Sequence, residues 1–276
     1  MTSFAEASGD AVSGGVGIRW YRSGAGGPVL VLLPTWNLLD SRTWNLLVPL
    51  LSQRCTVVTY DPRGAGNSER PPAGYSLDNH VGDAVAVLDA SGVGPATVVG
   101  LSTTTNVAVA LTARQPERVE RLVLLGAGLR DGSKAPGFWE PWSGEGGWAR
   151  HNAASWRADF EAYLRFFFGE AFHEPGSEHL VEEAVHWGLE ADPEILITQA
   201  REQEGEDVTP LLSSIRCPTD IVHGGGNRVV PLERARTAAA AIPGAQLHVI
   251  PDACHGLHRR HPKVLARLLL QLVEHP

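Results

Sequence analysis

Short apolar runs alternate with amphipathic segments along most of this 276-residue chain, and that alternation limits its fold more than any other feature. The runs are PVLVLLP (28–34), CTVVTY (55–60), ATVVGLS (96–102), RLVLLGA (121–127), TDIVHG (219–224) and QLHVIP (246–251). Their apolarity is continuous, which suits strands covered on both faces, as in a parallel sheet. Segments 41–53, 77–90, 106–115, 231–241 and 261–274 carry apolar residues at helical spacing. Ser76 stands where a helix N-cap belongs, and Pro231 at a first helical position. The pattern predicts a mostly parallel, doubly wound α/β sheet with helices on both faces. GVGIRWYRSG (15–24) alternates instead and is expected as an antiparallel strand at the start of the sheet.

From about 130 to 210 the rhythm stops and only helical patterns remain. The expected organisation is therefore a first part of the core over 1–129, a helical lid over 130–212 and a second part of the core over 213–276. Trp139, Trp142, Trp148, Trp156 and Trp187 fall in the insertion. Trp139 and Trp142 are candidates for lining a substrate pocket, with ordinary core packing as the competing reading.

Composition narrows the partners. A formal net charge of −8 with no basic stripe argues against nucleic acid. No apolar stretch approaches the roughly 20 residues of a membrane span. The N-terminal stretch lacks the basic and apolar regions of a secretory signal, and three widely spaced cysteines fit reduced thiols. A cytoplasmic protein with a small-molecule partner is expected. The sequence calls for no cofactor or metal and leaves the oligomeric state open.

The stretch VVGLSTTTNVAVAL (98–111) carries an apolar strand through Gly100 and Ser102 into a helix. Serine and threonine close strands and cap helices routinely, so a structural role competes with a chemical one. A nucleophile needs this arrangement, because a tight strand-to-helix turn lifts the hydroxyl above the sheet. His255, in PDACHGLHRRHP, follows the last predicted strand. Strand ends of one direction share a face, so His255 is positioned to serve Ser102 as general base. His255, His258 and His261 recur every third residue, but no carboxylate joins them at metal-ligand spacing. GAGNSE (64–69) is an incomplete dinucleotide fingerprint.

Four stretches together resemble the α/β-hydrolase superfamily, in its serine-nucleophile, small-molecule branch. VLLPTWNLLDSRTW resembles the strand and loop that supply half an oxyanion hole, and YDPRGAGNSERP the D-x-R-G-x-G-x-S loop. GLSTT is similar to the G-x-S-x-G elbow, and HGGGNRVVP through PDACHG to the acid loop, last long strand and histidine loop. HGGG (223–226) mimics a lipase oxyanion motif but follows the serine, so it belongs to the acid loop. The resemblance implies the α/β-hydrolase fold with a helical lid inserted after the sixth long strand. It also implies Ser102 as nucleophile, His255 as base, and the backbone N–H groups of Thr103 and Trp36 as oxyanion donors.

The chain departs from the pattern at three places. Asn227 stands where the family has its acid. In a serine-protease triad the same Asp-to-Asn change lowers turnover about 10⁴-fold, because the histidine takes the wrong tautomer. Asn227 can orient His255 through its carbonyl oxygen or donate to it through its amide. Asp131, Asp220 and Asp252 are the candidate replacements. Pro34-Thr35 replaces His-Gly, which stiffens the loop and puts the Thr35 hydroxyl near the expected hole. Thr104 replaces the elbow's second glycine and must either widen the turn or point into the pocket.

Three functions remain open. The first is hydrolysis of a small ester, lactone or related acyl compound through Ser102. The second is elimination, isomerisation or cyclisation in biosynthesis with His255 as base. The third is a ligand-binding protein with a residual site.

Overall fold

The computed structural model describes residues 5–24 and 26–274. Residues 1–4 and 275–276, the outer ends of the expected 1–129 and 213–276 core parts, and residue 25 lie outside them. Eight strands form one sheet: β1 (Ala7–Ser13), β2 (Val16–Ser23), β3 (Val29–Leu32), β4 (Thr56–Tyr60), β5 (Ala96–Leu101), β6 (Val119–Leu125), β7 (Thr219–Gly224) and β8 (Gln246–Ile250). Their order is β1-β2-β4-β3-β5-β6-β7-β8, with β1–β2 and β2–β4 antiparallel and the remaining pairs parallel.

Helices α1 (Val48–Leu51), α2 (Leu77–Ser91) and α3 (Thr105–Arg114) lie between the early strands. Between β6 and β7 come α4 (Pro136–Trp139), α5 (Ala153–Ala158), α6 (Phe160–Ala171), α7 (Glu178–Gly188), α8 (Pro193–Glu202) and α9 (Thr209–Leu212). The chain then adds α10 (Leu232–Ala241), α11 (Leu257–Arg260) and α12 (Pro262–Glu274). The continuous apolar runs work because successive strand residues face opposite layers. Val31, Val58, Val98 and Leu122 pack with α2, α3 and α10, whereas Leu30, Leu32, Val57 and Val99 pack with α1 and α12. A third apolar cluster, built around Trp156, Tyr163, Leu164 and Phe168, holds the helical insertion together.

Three expectations on the fold need correction. The antiparallel strand at 15–24 is not first, because β1 precedes it as the other arm of a hairpin. Gly14 and Gly15, both at positive φ, form its turn, and β1 escaped notice because Ser8, Gly9 and Asp10 interrupt any apolar run. The helix expected over 41–53 is broken into a 3₁₀ turn (Ser41–Trp44) and α1. Pro49 prevents one continuous helix there, since it lacks an N–H and restricts the residue before it. Pro231 has an extended ψ of 141° and caps α10 from outside.

The 61–68 loop is structural. Asp61 accepts hydrogen bonds from Ser41 N–H (3.0 Å), Asn67 N–H (2.9 Å) and the Tyr21 hydroxyl (2.9 Å). Arg63 forks onto the buried Asp83 carboxylate at 2.7 and 2.5 Å, and its Nη1 donates to Gly74 O at 2.5 Å. Its carbonyl accepts from Asn37 Nδ2 at 2.7 Å, which pins the loop carrying Thr35 and Trp36.

Candidate active site

Ser102 follows β5 and opens the 3₁₀ turn that leads into α3. Its φ is +56°, a left-handed conformation that costs a non-glycine residue about 1–2 kcal/mol. Gly100 makes the turn possible: a Cβ there would lie 2.9 Å from Ala108 Cβ, Thr104 O and Thr105 Cα. The Thr105 hydroxyl donates to Ser102 O at 2.5 Å. Asn106 Nδ2 donates to Thr103 O (2.7 Å) and Gly128 O (3.1 Å), so the elbow is tied to the loop after β6.

Ser102 opens onto a cavity of about 400 Å³ whose wall includes Thr35, Trp36, Thr103, Trp139 and His255. Phe138, Trp156, Phe167 and Phe168 from the insertion supply apolar wall. The Trp36 ring packs against Trp156, with centroids 5.5 Å apart, and against Phe167 at 6.1 Å.

Thr104 and Trp142 are not part of this wall. The Thr104 hydroxyl folds back, accepting from Leu101 N–H (3.1 Å) and donating to Leu101 O (3.0 Å). A threonine fits the second glycine position because its hydroxyl replaces turn hydrogen bonds. Trp142 donates to Glu145 O at 3.0 Å and stacks beneath Arg150. Trp139 does reach the wall and donates to Glu204 Oε1 at 3.2 Å. The Thr35 hydroxyl faces the Trp36 carbonyl at 3.3 Å.

Two backbone donors are available near Ser102. Trp36 N–H has no protein acceptor among the described residues, although its carbonyl accepts from Leu38 and Leu39. Thr103 N–H, second in its turn, has no acceptor one turn back. Pro34 has no N–H to add.

His255 is buried, and its Nδ1 faces Asn227 Nδ2 at 3.0 Å. Asn227 Oδ1 accepts from both Val229 N–H and Val230 N–H, each at 2.9 Å. Turning the amide over would set its NH₂ against those two donors, so these bonds fix which end meets the histidine. His223 Nε2 donates to Val230 O at 3.0 Å and cannot take the Asn227 proton. The amide therefore donates to His255 Nδ1, and the imidazole carries its own proton on Nε2. Burial, reinforced by His223, pulls the His255 pKa down to about 4. At neutral pH the ring is uncharged and presents a donor at Nε2.

Among the described residues no carboxylate bonds His255 Nδ1. Asp131 bonds Ser133 and lies 3.6 Å from Arg234. Asp220 pairs with Arg121 (2.5 Å) and His248 (2.7 Å), and Asp252 sits exposed in a turn. The three histidines also part company: His258 Nε2 meets the Thr43 hydroxyl at 2.9 Å and His261 Nε2 meets Glu174 at 2.8 Å. Sequence reasoning missed Asn106, His223, Arg130 and His151. The available signal for Asn106 was a poor helix former just past the elbow.

The chain matches the family model described as alpha/beta hydrolase fold over residues 28–262. A 2-hydroxymuconate semialdehyde hydrolase of Pseudomonas sp. (strain CF600) is 28% identical, covering 94% of this chain and 90% of its own. One of Pseudomonas putida is 31% identical over 79% of this chain and 76% of its own. The enol-lactonase of Burkholderia xenovorans LB400 superposes with a TM-score of 0.83 at 22% identity, covering 96% of this chain and 100% of that one. The relatives are named for hydrolysis of small molecules, and family and fold coincide: this chain belongs to the alpha/beta hydrolase fold family.

Proposed function

We propose that the protein hydrolyses a small, largely apolar ester, lactone or related acyl compound, with Ser102 as nucleophile. The single observation that carries this reading is the φ of +56° at Ser102. Strain of that kind persists where a site requires it, and acylation is the chemistry that requires a raised serine. Ser102 Oγ attacks the acyl carbon and its proton passes to His255. The Trp36 and Thr103 N–H groups receive the oxyanion, and His255 returns the proton to the leaving group. Water then repeats the sequence to free the acid. The helical insertion over 130–212 acts as a lid whose aromatic residues set substrate shape.

Accepting the serine proton demands a lone pair on His255 Nε2. The Asn227 amide favours the opposite tautomer, so every acylation begins with an unfavourable proton rearrangement. The non-hydrolytic reading, with His255 abstracting a carbon-bound proton, meets the same obstacle and leaves the strain at Ser102 unexplained. A purely ligand-binding protein also has no use for that strain.

Labelling with a fluorophosphonate probe tests this reading. The wild type should be modified at one site, more slowly than an ordinary serine hydrolase, and Ser102→Ala should take up none. Persistent absence of label in the folded wild type, or native turnover by Ser102→Ala, would overturn it.

A further inference from the structure

Arg130 lies in the loop after β6 and lines the same cavity as Ser102 and His255. Its backbone is held on both sides, with N–H donating to Asn106 Oδ1 at 2.7 Å and carbonyl accepting from Val208 N–H at 3.1 Å. Its guanidinium donates to Gln203 O (3.0 Å) and Gln203 Oε1 (3.1 Å), both neutral acceptors. A guanidinium carries five N–H donors, so three remain. Among the described residues no carboxylate comes within 4.0 Å of Arg130, whereas the buried Arg63 and Arg259 pair with Asp83 and Glu183.

Neither acidic neighbour forms an ion pair with Arg130. Glu206 attracts Arg130 from beyond ion-pair distance; its Oε1 accepts from Leu77 N–H at 2.9 Å and its buried Oε2 has no partner. Glu204, in the cavity wall, accepts from Trp139 Nε1. Burial pushes the Arg130 pKa below the usual arginine value, and the attraction of Glu206 offsets only part of that cost. His151 also lines the cavity, with its Nδ1 3.0 Å from the Tyr163 hydroxyl. Burial and the nearby Arg130 charge hold it neutral, so it adds no second cation.

From this guanidinium without an ion-pair partner, carried by a residue of the cavity wall, we propose that the cavity takes a ligand bearing a carboxylate, which pairs with Arg130. A planar carboxylate matches the guanidinium fork and supplies the direct ion pair that no carboxylate of the described residues makes. The net charge of −8 repels anions at a distance, so recognition is local. Which end of the ligand reacts rests on the Ser102 reading; the anion site itself does not.

Calorimetric titration with 4-phenylbutyrate and its uncharged counterpart 4-phenylbutanamide tests the proposal without requiring turnover. The wild type should bind the carboxylate about 10- to 100-fold more tightly than the amide. Arg130→Gln should reduce carboxylate affinity to that of the amide. Arg130→Lys should restore part of the difference, since a point charge replaces the fork. Equal affinities in the wild type, no measurable binding of the carboxylate, or an undiminished preference in folded Arg130→Gln would each overturn it. If fluorophosphonate labelling of Ser102 fails while the preference holds, the nucleophile assignment falls and the anion site stands. A labelled protein without the preference gives the reverse.

Discussion

Asn227→Asp should accelerate ester hydrolysis and fluorophosphonate labelling by about 10³- to 10⁴-fold, the inverse of the loss that an Asp-to-Asn change causes in a serine-protease triad. One carboxylate oxygen would accept from Val229 and Val230 N–H, as Asn227 Oδ1 does at 2.9 Å. The other would stand where Asn227 Nδ2 now lies, 3.0 Å from His255 Nδ1, and would accept a proton there instead of donating one. His255 would then present a lone pair at Nε2. The new negative charge would also favour the imidazolium and raise its pKa from about 4. A base works only when deprotonated, so the acid limb of the pH–rate profile should move upward. Rates and pH profiles of both proteins on a short-chain activated ester decide the matter. An unchanged rate would remove Asn227 from the reaction.

The second large effect concerns the loop beneath the site. Arg63→Ala should destabilise the protein by about 3–5 kcal/mol, because it strands the Asp83 carboxylate in the interior. Asp83 is fully buried, and its two oxygens accept from Arg63 Nε and Nη2 at 2.7 and 2.5 Å. The melting temperature should fall by on the order of 10 °C. Arg63→Lys should recover part of the loss, since it keeps the charge without the fork. The Arg63 carbonyl holds Asn37, next to Trp36, so loosening this loop should also slow labelling of Ser102. Thermal and denaturant unfolding measure the first effect and labelling kinetics the second. A loss under about 1 kcal/mol would show that the pair contributes little beyond its own desolvation.

Legibility from sequence followed how local the determining physics was. The parallel strands were readable because their runs stay apolar through both faces, and TDIVHG matches β7 residue for residue. β1 was not, since its stability comes from pairing with β2 rather than from its own composition. Gly100 and Ser102 announced a sharp turn because the steric demand falls on adjacent residues. The fate of Thr104 was hidden, as a hydroxyl that bonds Leu101 and one that faces a ligand occupy the same place in the string. The direction of the Asn227 amide was hidden more deeply. It depends on where Val229, Val230 and His223 put their polar groups once the β7–α10 loop is folded. Arg130 went unnoticed because its meaning lies in a missing partner, which only three dimensions reveal.

Nitrogen-15 NMR of histidine-labelled protein at neutral pH reads the tautomer of His255 directly, with His255→Gln identifying its signals. The wild type should give a protonated Nε2 and a bare, hydrogen-bond-accepting Nδ1, exchanging places in Asn227→Asp. A wild-type signal from a protonated Nδ1 would mean that the amide accepts rather than donates, and the handicap assigned to Asn227 would vanish with it.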